Sequence, residues 1–195
     1  MLSQDEARFP LVPTLRATRG GKGHRPLVGT WDKKDVVYSV AALNVVTGRL
    51  TTRLLDSPAR AKQQTGHSKT ARLQQAFAAH LRDIARAYPA TLGKPVILTI
   101  DNAPWHQGSA ITEVLATHPH LQLYRLPSYS PHLNSIERFW RVLRRRATHN
   151  RLFLTMAELR TALRATLCYF YTMRHKVLSL LQSPRKLKAA KVTAA

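Results

Sequence analysis

Only ten carboxylates serve this chain of 195 residues, against 31 Lys and Arg. That scarcity makes it practical to ask what each acid does, and four stand out. Asp5 and Glu6 lie in Asp5-Glu6-Ala7-Arg8-Phe9, Asp101 follows the apolar run Val96-Ile97-Leu98-Thr99-Ile100, and Glu137 comes three residues after Asn134. Carboxylates delivered from separate segments are what hard, oxygen-seeking cations such as Mg²⁺ need. Two such ions clamp the attacking and leaving oxygens of an in-line phosphoryl transfer. In so basic a chain, clustered acids would otherwise repel the phosphates that the bases attract, and a metal resolves that contradiction.

Each of these residues also has a plainer reading. Asp101-Asn102 before Ala103-Pro104 is good turn chemistry, and position alone weighs a turn and a strand-end site residue equally. Asn134 followed by Glu137 is a capping box, which the residue pattern alone favours over a metal ligand. Asp5 and Glu6, taken alone, read as a solvated pair. His106 could orient a water or a phosphate, though a lone His is more often structural. No zinc spacing, nucleophile elbow, P-loop or dinucleotide fingerprint occurs. Cys168 fits the buried stripe of its helix, and Trp140 an apolar helix face.

The formal charge of +21 calls for a polyanionic partner. Nucleic acid leads, because Lys and Arg contacts release condensed counterions, although an anionic membrane surface or a ribosomal site satisfies the same arithmetic. The bases fall into two groups. Arg16, Arg19, Lys22 and Arg25 sit in a Gly-rich loop after the first acids, and Arg138, Arg141, Arg144, Arg145 and Arg146 follow Glu137. So few acids accompany them that phosphate contacts are the favoured use. No apolar stretch is long enough to span a membrane, no signal peptide opens the chain, and the single cysteine excludes an intrachain disulfide. The expectation is a cytoplasmic protein.

The elements that must position these groups follow from periodicity. Residues 1–9 read as a first strand and 36–55 as a hairpin. Leu73, Phe77, Leu81, Ile84 and Tyr88 mark an amphipathic helix from Thr70, and residues 57–68 read as loop. Val96–Ile100 reads as a strand buried on both faces; Ile111, Val114 and Leu115 suggest a short helix, and 121–126 another strand. Ile136, Phe139, Trp140 and Leu143 stripe one further helix. Thr155 and Glu158 cap a last one running to about Met173. This order points to an α/β fold, a mixed sheet flanked by helices.

Three blocks appear in order: Asp5-Glu6-Ala7-Arg8-Phe9, Asp101-Asn102-Ala103-Pro104-Trp105-His106, and the long run from Leu126-Pro127-Ser128-Tyr129-Ser130-Pro131-His132-Leu133 through Asn134-Ser135-Ile136-Glu137-Arg138-Phe139-Trp140. Together they resemble the catalytic domain of DDE-type transposases of the mariner-like bacterial insertion-sequence (six-thirty) family, over about residues 3 to 175. The resemblance implies a ribonuclease-H-like fold with a mixed five-stranded sheet. It implies that Asp5, Asp101 and Glu137 bind two Mg²⁺ ions, with Mn²⁺ as substitute, supported by Glu6, Asn102, His106 and Asn134. This overturns the capping preference for Glu137. The implied reaction is hydrolysis of DNA at transposon ends and strand transfer into a target, one metal activating water and later a DNA 3′-hydroxyl, the other stabilising the leaving oxygen.

Two departures qualify that picture. The family's N-terminal helix-turn-helix reader of the terminal repeats is absent from these residues, and Ser135 stands where the family usually has Pro. The expected organisation is a catalytic domain over 1–178 and a basic tail over 179–195, acting on double-stranded DNA as a homodimer near the nucleoid. A separate chain would supply the reading region. The competing expectation is an inactive DNA-binding remnant.

Overall fold

The computed structural model describes residues 1–17, 27–127 and 134–181, the side chains of Lys62 and Leu92 excepted. Arg19, Lys22, Arg25, the stretch 128–133 and most of the expected tail lie outside the described residues.

Five strands form one mixed sheet: β1 (Leu2–Pro10), β2 (Val36–Asn44), β3 (Leu50–Ser57), β4 (Val96–Ile100) and β5 (Leu121–Arg125), in the order β3-β2-β1-β4-β5. The hairpin makes β2 antiparallel to both β1 and β3, while β1–β4 and β4–β5 are parallel. Gly48, at φ 67°, closes the hairpin in the left-handed region that glycine enters without a Cβ penalty.

Side chains alternate along β1 and define two faces. Leu2 packs with Val40 and Ala42 against helices α2 (Lys69–Ala87) and α3 (Ser109–Thr117). Ala7 and Phe9 pack instead with Val37, Ala41 and Leu43 against α4 (Ile136–Ala147), α5 (Met156–Thr172) and α6 (Arg174–Leu181). A short helix, α1 (Ala61–Thr65), interrupts the stretch expected to be loop. The local signals place the long helices well. Ser68 caps α2 by accepting from Ala71 N–H at 3.1 Å. Thr155 caps α5 by accepting from Glu158 N–H, and the Glu158 carboxylate reaches back to Leu154 N–H at 2.9 Å.

Two expectations need correction. Cys168 is exposed, because the buried stripe of α5 runs through Leu163, Leu167 and Phe170, and residue 168 points about 100° away from Leu167. The fold also continues past Met173 into α6, whose Val177 is fully buried; this helix crosses the expected boundary at 178.

Candidate active site

The site begins with a mismatch in strand length. β1 pairs with β4 only at Leu2↔Leu98 and Ser3↔Thr99. Carrying that register two residues further sets Asp5 level with Asp101. By then β4 has ended, so beyond Ser3 one edge of β1 faces a crevice at the carboxyl end of a parallel strand. That is where open sheets of this kind bind ligands.

The entry to α4 is fastened to the same edge. Asn134, which is buried, accepts from Ser3 Oγ at 2.5 Å, and its Nδ2 donates to the Gln4 carbonyl at 3.1 Å. Ile136 N–H donates to Ser3 Oγ at 3.3 Å. The expected Asn134–Glu137 capping box therefore does not form: Ser135 occupies the cap position without a side-chain bond, and Asn134 ties the helix to β1 instead. Glu137 lies in the first turn of α4, and one turn on, Trp140 Nε1 donates to Asp5 Oδ2 at 3.1 Å. Trp140 is thus core, as its helix face suggested, and also a direct contact of Asp5.

Behind Asp101 lies a buried clamp. The His106 ring has Nδ1 at 3.0 Å from Asp101 Oδ1 and Nε2 at 3.0 Å from Glu6 Oε1. Glu6 also accepts from Gln4 Nε2 at 2.7 Å and Trp105 Nε1 at 3.1 Å. Burial alone would lower the pKa of His106. Its hydrogen bonds to Asp101 and Glu6 outweigh that and push the ring up to about 9. The hydrogen bond from His106 in turn holds the Asp101 carboxyl below its usual range. A short buried imidazolium between two carboxylates fixes Asp101 Oδ1, which also accepts from Ala103 N–H at 2.9 Å. Asn102 Nδ2 donates to the Leu126 carbonyl and ties this turn to the end of β5.

The opposite side is open. Asp5, Glu6, Glu137 and Trp140 line a cleft of roughly 410 Å³ whose remaining wall is Arg16, Arg141, Arg144 and His149. Burial, then the neighbouring Glu6 charge, drives the Asp5 carboxyl up to about 7, and Asp101 adds to the effect. Arg144 is held below its usual range by burial, although Asp5 and Glu137 both act on it in the other direction. No ion pair to Asp5, Glu137, Arg16 or Arg144 is found among the described residues. Asp5 and Glu137 are hard oxygen donors without an ion-pair partner among the described residues, which fits a divalent cation. They do not stand as a closed cage: among the described residues, no three His, Cys, Asp or Glu side chains are grouped to hold an ion.

Of the expected basic contacts, Arg16, Arg141 and Arg144 reach the cleft. Arg138 donates to the Leu181 carbonyl, and Arg146 lies 3.8 Å from the Tyr169 ring centroid, so both are engaged with the following helices. Arg145 is exposed on α4. Sequence reasoning missed Ser3, His149 and the bond from Trp140 to Asp5; none has a local signature. No helix among the described residues is long and apolar enough to cross a membrane.

A mixed sheet in the order β3-β2-β1-β4-β5, flanked by helices on both faces, is a ribonuclease-H-like fold, with acids at the β1–β4 crevice and at the head of α4. The family model described as DDE superfamily endonuclease matches residues 1–160, and the chain belongs to that family. A curated relative, the insertion element IS630 uncharacterized 39 kDa protein of Shigella sonnei, is 26% identical over 156 residues, covering 80% of this chain and 41% of its own length. Among solved structures, a pre-cleavage Mos1 transpososome gives a TM-score of 0.61 at 17% identity, covering 92% of this chain and 53% of its own. The Mos1 transposase paired-end complex with the left transposon end gives 0.58 at 18% identity, with coverages of 92% and 52%. The Mos1 catalytic domain with raltegravir and Mg gives 0.55 at 17%, with coverages of 92% and 79%. The chain thus spans less than half of the insertion-element protein and about half of the Mos1 chains in the first two complexes.

Proposed function

We propose that this chain is the catalytic domain of a transposase, which cuts DNA at transposon ends and joins the freed ends to target DNA with the help of divalent metal. The observation that carries the reading is the shared level of Asp5 and Asp101 across the β1–β4 crevice, with Glu137 in the same cleft as Asp5 and arginines along its wall. Asp5, Asp101 and Glu137 would hold two Mg²⁺, or Mn²⁺ in their place. Metals bound there supply a more acidic attacking oxygen and a stabilised leaving oxygen.

The chain's own groups do the rest. His106, anchored by Glu6, keeps Asp101 ionised and oriented. Asn134 sets the first turn of α4 against β1, which puts Glu137 in the same cleft as Asp5. Trp140 closes the inner wall and directs Asp5 Oδ2. Arg16, Arg141 and Arg144 receive backbone phosphates, which positions the strand without reading its sequence. Terminal-repeat recognition is assigned to a helix-turn-helix region outside these residues, and the working form to a homodimer on paired ends at the nucleoid.

The test is nicking of supercoiled plasmid and of labelled insertion-element ends in Mg²⁺ or Mn²⁺. Nicking is expected from the wild-type chain and not from Asp101→Ala. Equal activity in that variant rejects the assignment.

A further inference from the structure

The segment after β1 and the turn after α4 are joined by one side chain. Asn150 Oδ1 accepts from Arg16 N–H at 2.8 Å, and Asn150 Nδ2 donates to the Arg16 carbonyl at 3.0 Å. Asn150 N–H donates to the Thr14 carbonyl at 3.1 Å, and Thr14 bridges His149 in parallel fashion. A side-chain amide therefore pairs with both backbone polar groups of one residue, as a neighbouring strand would. Asn150 does so at φ 55°, the only positive φ at a non-glycine position among the described residues. Asn tolerates that region better than most residues because its short polar group bonds locally.

The clamp holds the main chain of Arg16 and leaves its side chain exposed. Arg16 and Arg144 line the same cleft from different elements, beside His149. Arg16 also acts electrostatically on Arg144, against the opposing effect of Asp5 and Glu137, so two cations have been gathered at the rim. No ion pair balances either arginine among the described residues. Gathering cations this way is unfavourable unless an anion completes the set, and holding one of them in place beforehand lowers the ordering cost of binding.

We propose that Asn150 is a positioning residue that seats Arg16 at the rim of the carboxylate cleft, where Arg16 and Arg144 together receive a phosphate of the DNA strand. The inference rests on the functional reading above and deepens it.

The experiment is a double-mutant cycle with Arg16→Ala and Asn150→Gly on the whole chain. Glycine keeps the left-handed backbone and deletes both bonds to Arg16. Binding of a fluorescein-labelled DNA duplex is followed by anisotropy in EDTA over a range of salt, so that metal ligation does not contribute. Asn150→Gly is expected to weaken binding roughly tenfold, as loss of a held charge-assisted contact would, and to reduce the salt slope by about 1. Arg16→Ala should match it, and the double variant should be no weaker than Arg16→Ala alone. A purely structural Asn150 would leave the salt slope unchanged. Wild-type binding by Asn150→Gly, or strictly additive losses in the double variant, overturns the clamp. Metal-dependent nicking that fails in the wild-type chain while the cycle behaves as expected overturns the transposase reading and leaves the clamp standing.

Discussion

Adjacent residues of β1 face two different electrostatic solutions. Glu6 points to the α2 side, where two hydrogen bonds from aromatic ring nitrogens and one from an amide meet it in a buried setting. Asp5 points to the α4 side, where Trp140 gives it one indole N–H and burial pushes its pKa up to about 7. On the first side Glu6 has a charged partner within the protein, the His106 imidazolium. The second is left with carboxylates and arginines that do not pair with each other among the described residues. A balanced network serves as scaffold, and an unbalanced one needs something from outside. In this molecule the two share a boundary at Asp101, which belongs to the clamp through Oδ1 and to the crevice through its place after β4.

The largest test of that division removes the unbalanced acids. Asp5→Asn and Asp101→Asn are each expected to lower metal-dependent nicking on the order of a thousandfold or more, as loss of a group that stabilises transition-state charge does. Asp5→Asn should do so without loss of thermal stability, because a buried carboxylate that resists ionisation gains little from its charge. An Asp5→Asn protein that unfolds would make Asp5 part of the scaffold and erase the distinction.

The balanced side should fail in the other way. His106→Ala leaves Glu6 buried with a lost partner, and such losses cost about 3 to 5 kcal/mol. Because the folded pKa of His106 is raised to about 9, its contribution is fully present below pH 6.5 and is lost as pH rises toward 9. Urea unfolding should therefore show a deficit in His106→Ala that narrows from pH 6 to pH 9. A pH-independent deficit would mean that the ring is neutral in the fold and the clamp is no ion pair.

His80 sharpens the comparison from beneath the same face. It is fully buried on α2, neither ring nitrogen has a hydrogen-bond partner among the described residues, and burial lowers its pKa to about 4. The unfolded chain then binds a proton that the folded chain refuses, so stability falls as pH drops from 6.5 toward 4. The whole effect is on the order of 3 kcal/mol. His80→Leu should flatten that slope and be neutral or stabilising at pH 8, since it removes unpaired polar atoms from an apolar site. A marked loss at pH 8 would show that His80 has a partner in solution.

How much of this could be read from the residues depends on the range of the interaction. The strand Val96–Ile100, the α4 stripe and the Thr155–Glu158 box were legible because each is written in neighbouring positions, although Ile97 is exposed and the strand is not buried on both faces as expected. Asn134 was not: the pattern that spells a capping box also allows an amide bond to a strand 130 residues away, and only the fold decides. The same holds for His106, whose two carboxylates come from different strands, and for Asn150, whose partner lies 134 residues earlier. Helix α6 was missed because the pattern was read as ending at Met173, and its eight residues are too few to stand out by periodicity. Asp5, Asp101 and Glu137 stood out only within whole motifs, and the level of Asp5 with Asp101 came only with the register of β1 against β4.

The smallest expected effect is thermodynamic and bears on the open side alone. The folded pKa of Asp5 is raised to about 7, above its unfolded value, so the folded state of the metal-free chain holds a proton that the unfolded state releases. Its contribution to stability is greatest below pH 4 and is lost as pH rises through 7. At pH 8 the carboxylates of the cleft are then at their most repulsive, and a divalent cation that binds only the folded chain should relieve them. Added at a hundredfold over its dissociation constant, Mg²⁺ would stabilise the protein by about 2.7 kcal/mol. The rise in melting temperature should be absent at pH 5 and absent at pH 8 in Asp5→Asn, while His80→Leu keeps it, since His80 lies on the balanced side. A rise of equal size in Asp5→Asn would mean that the cation binds elsewhere on the chain, and the contrast between the two sides of β1 would lose its functional meaning.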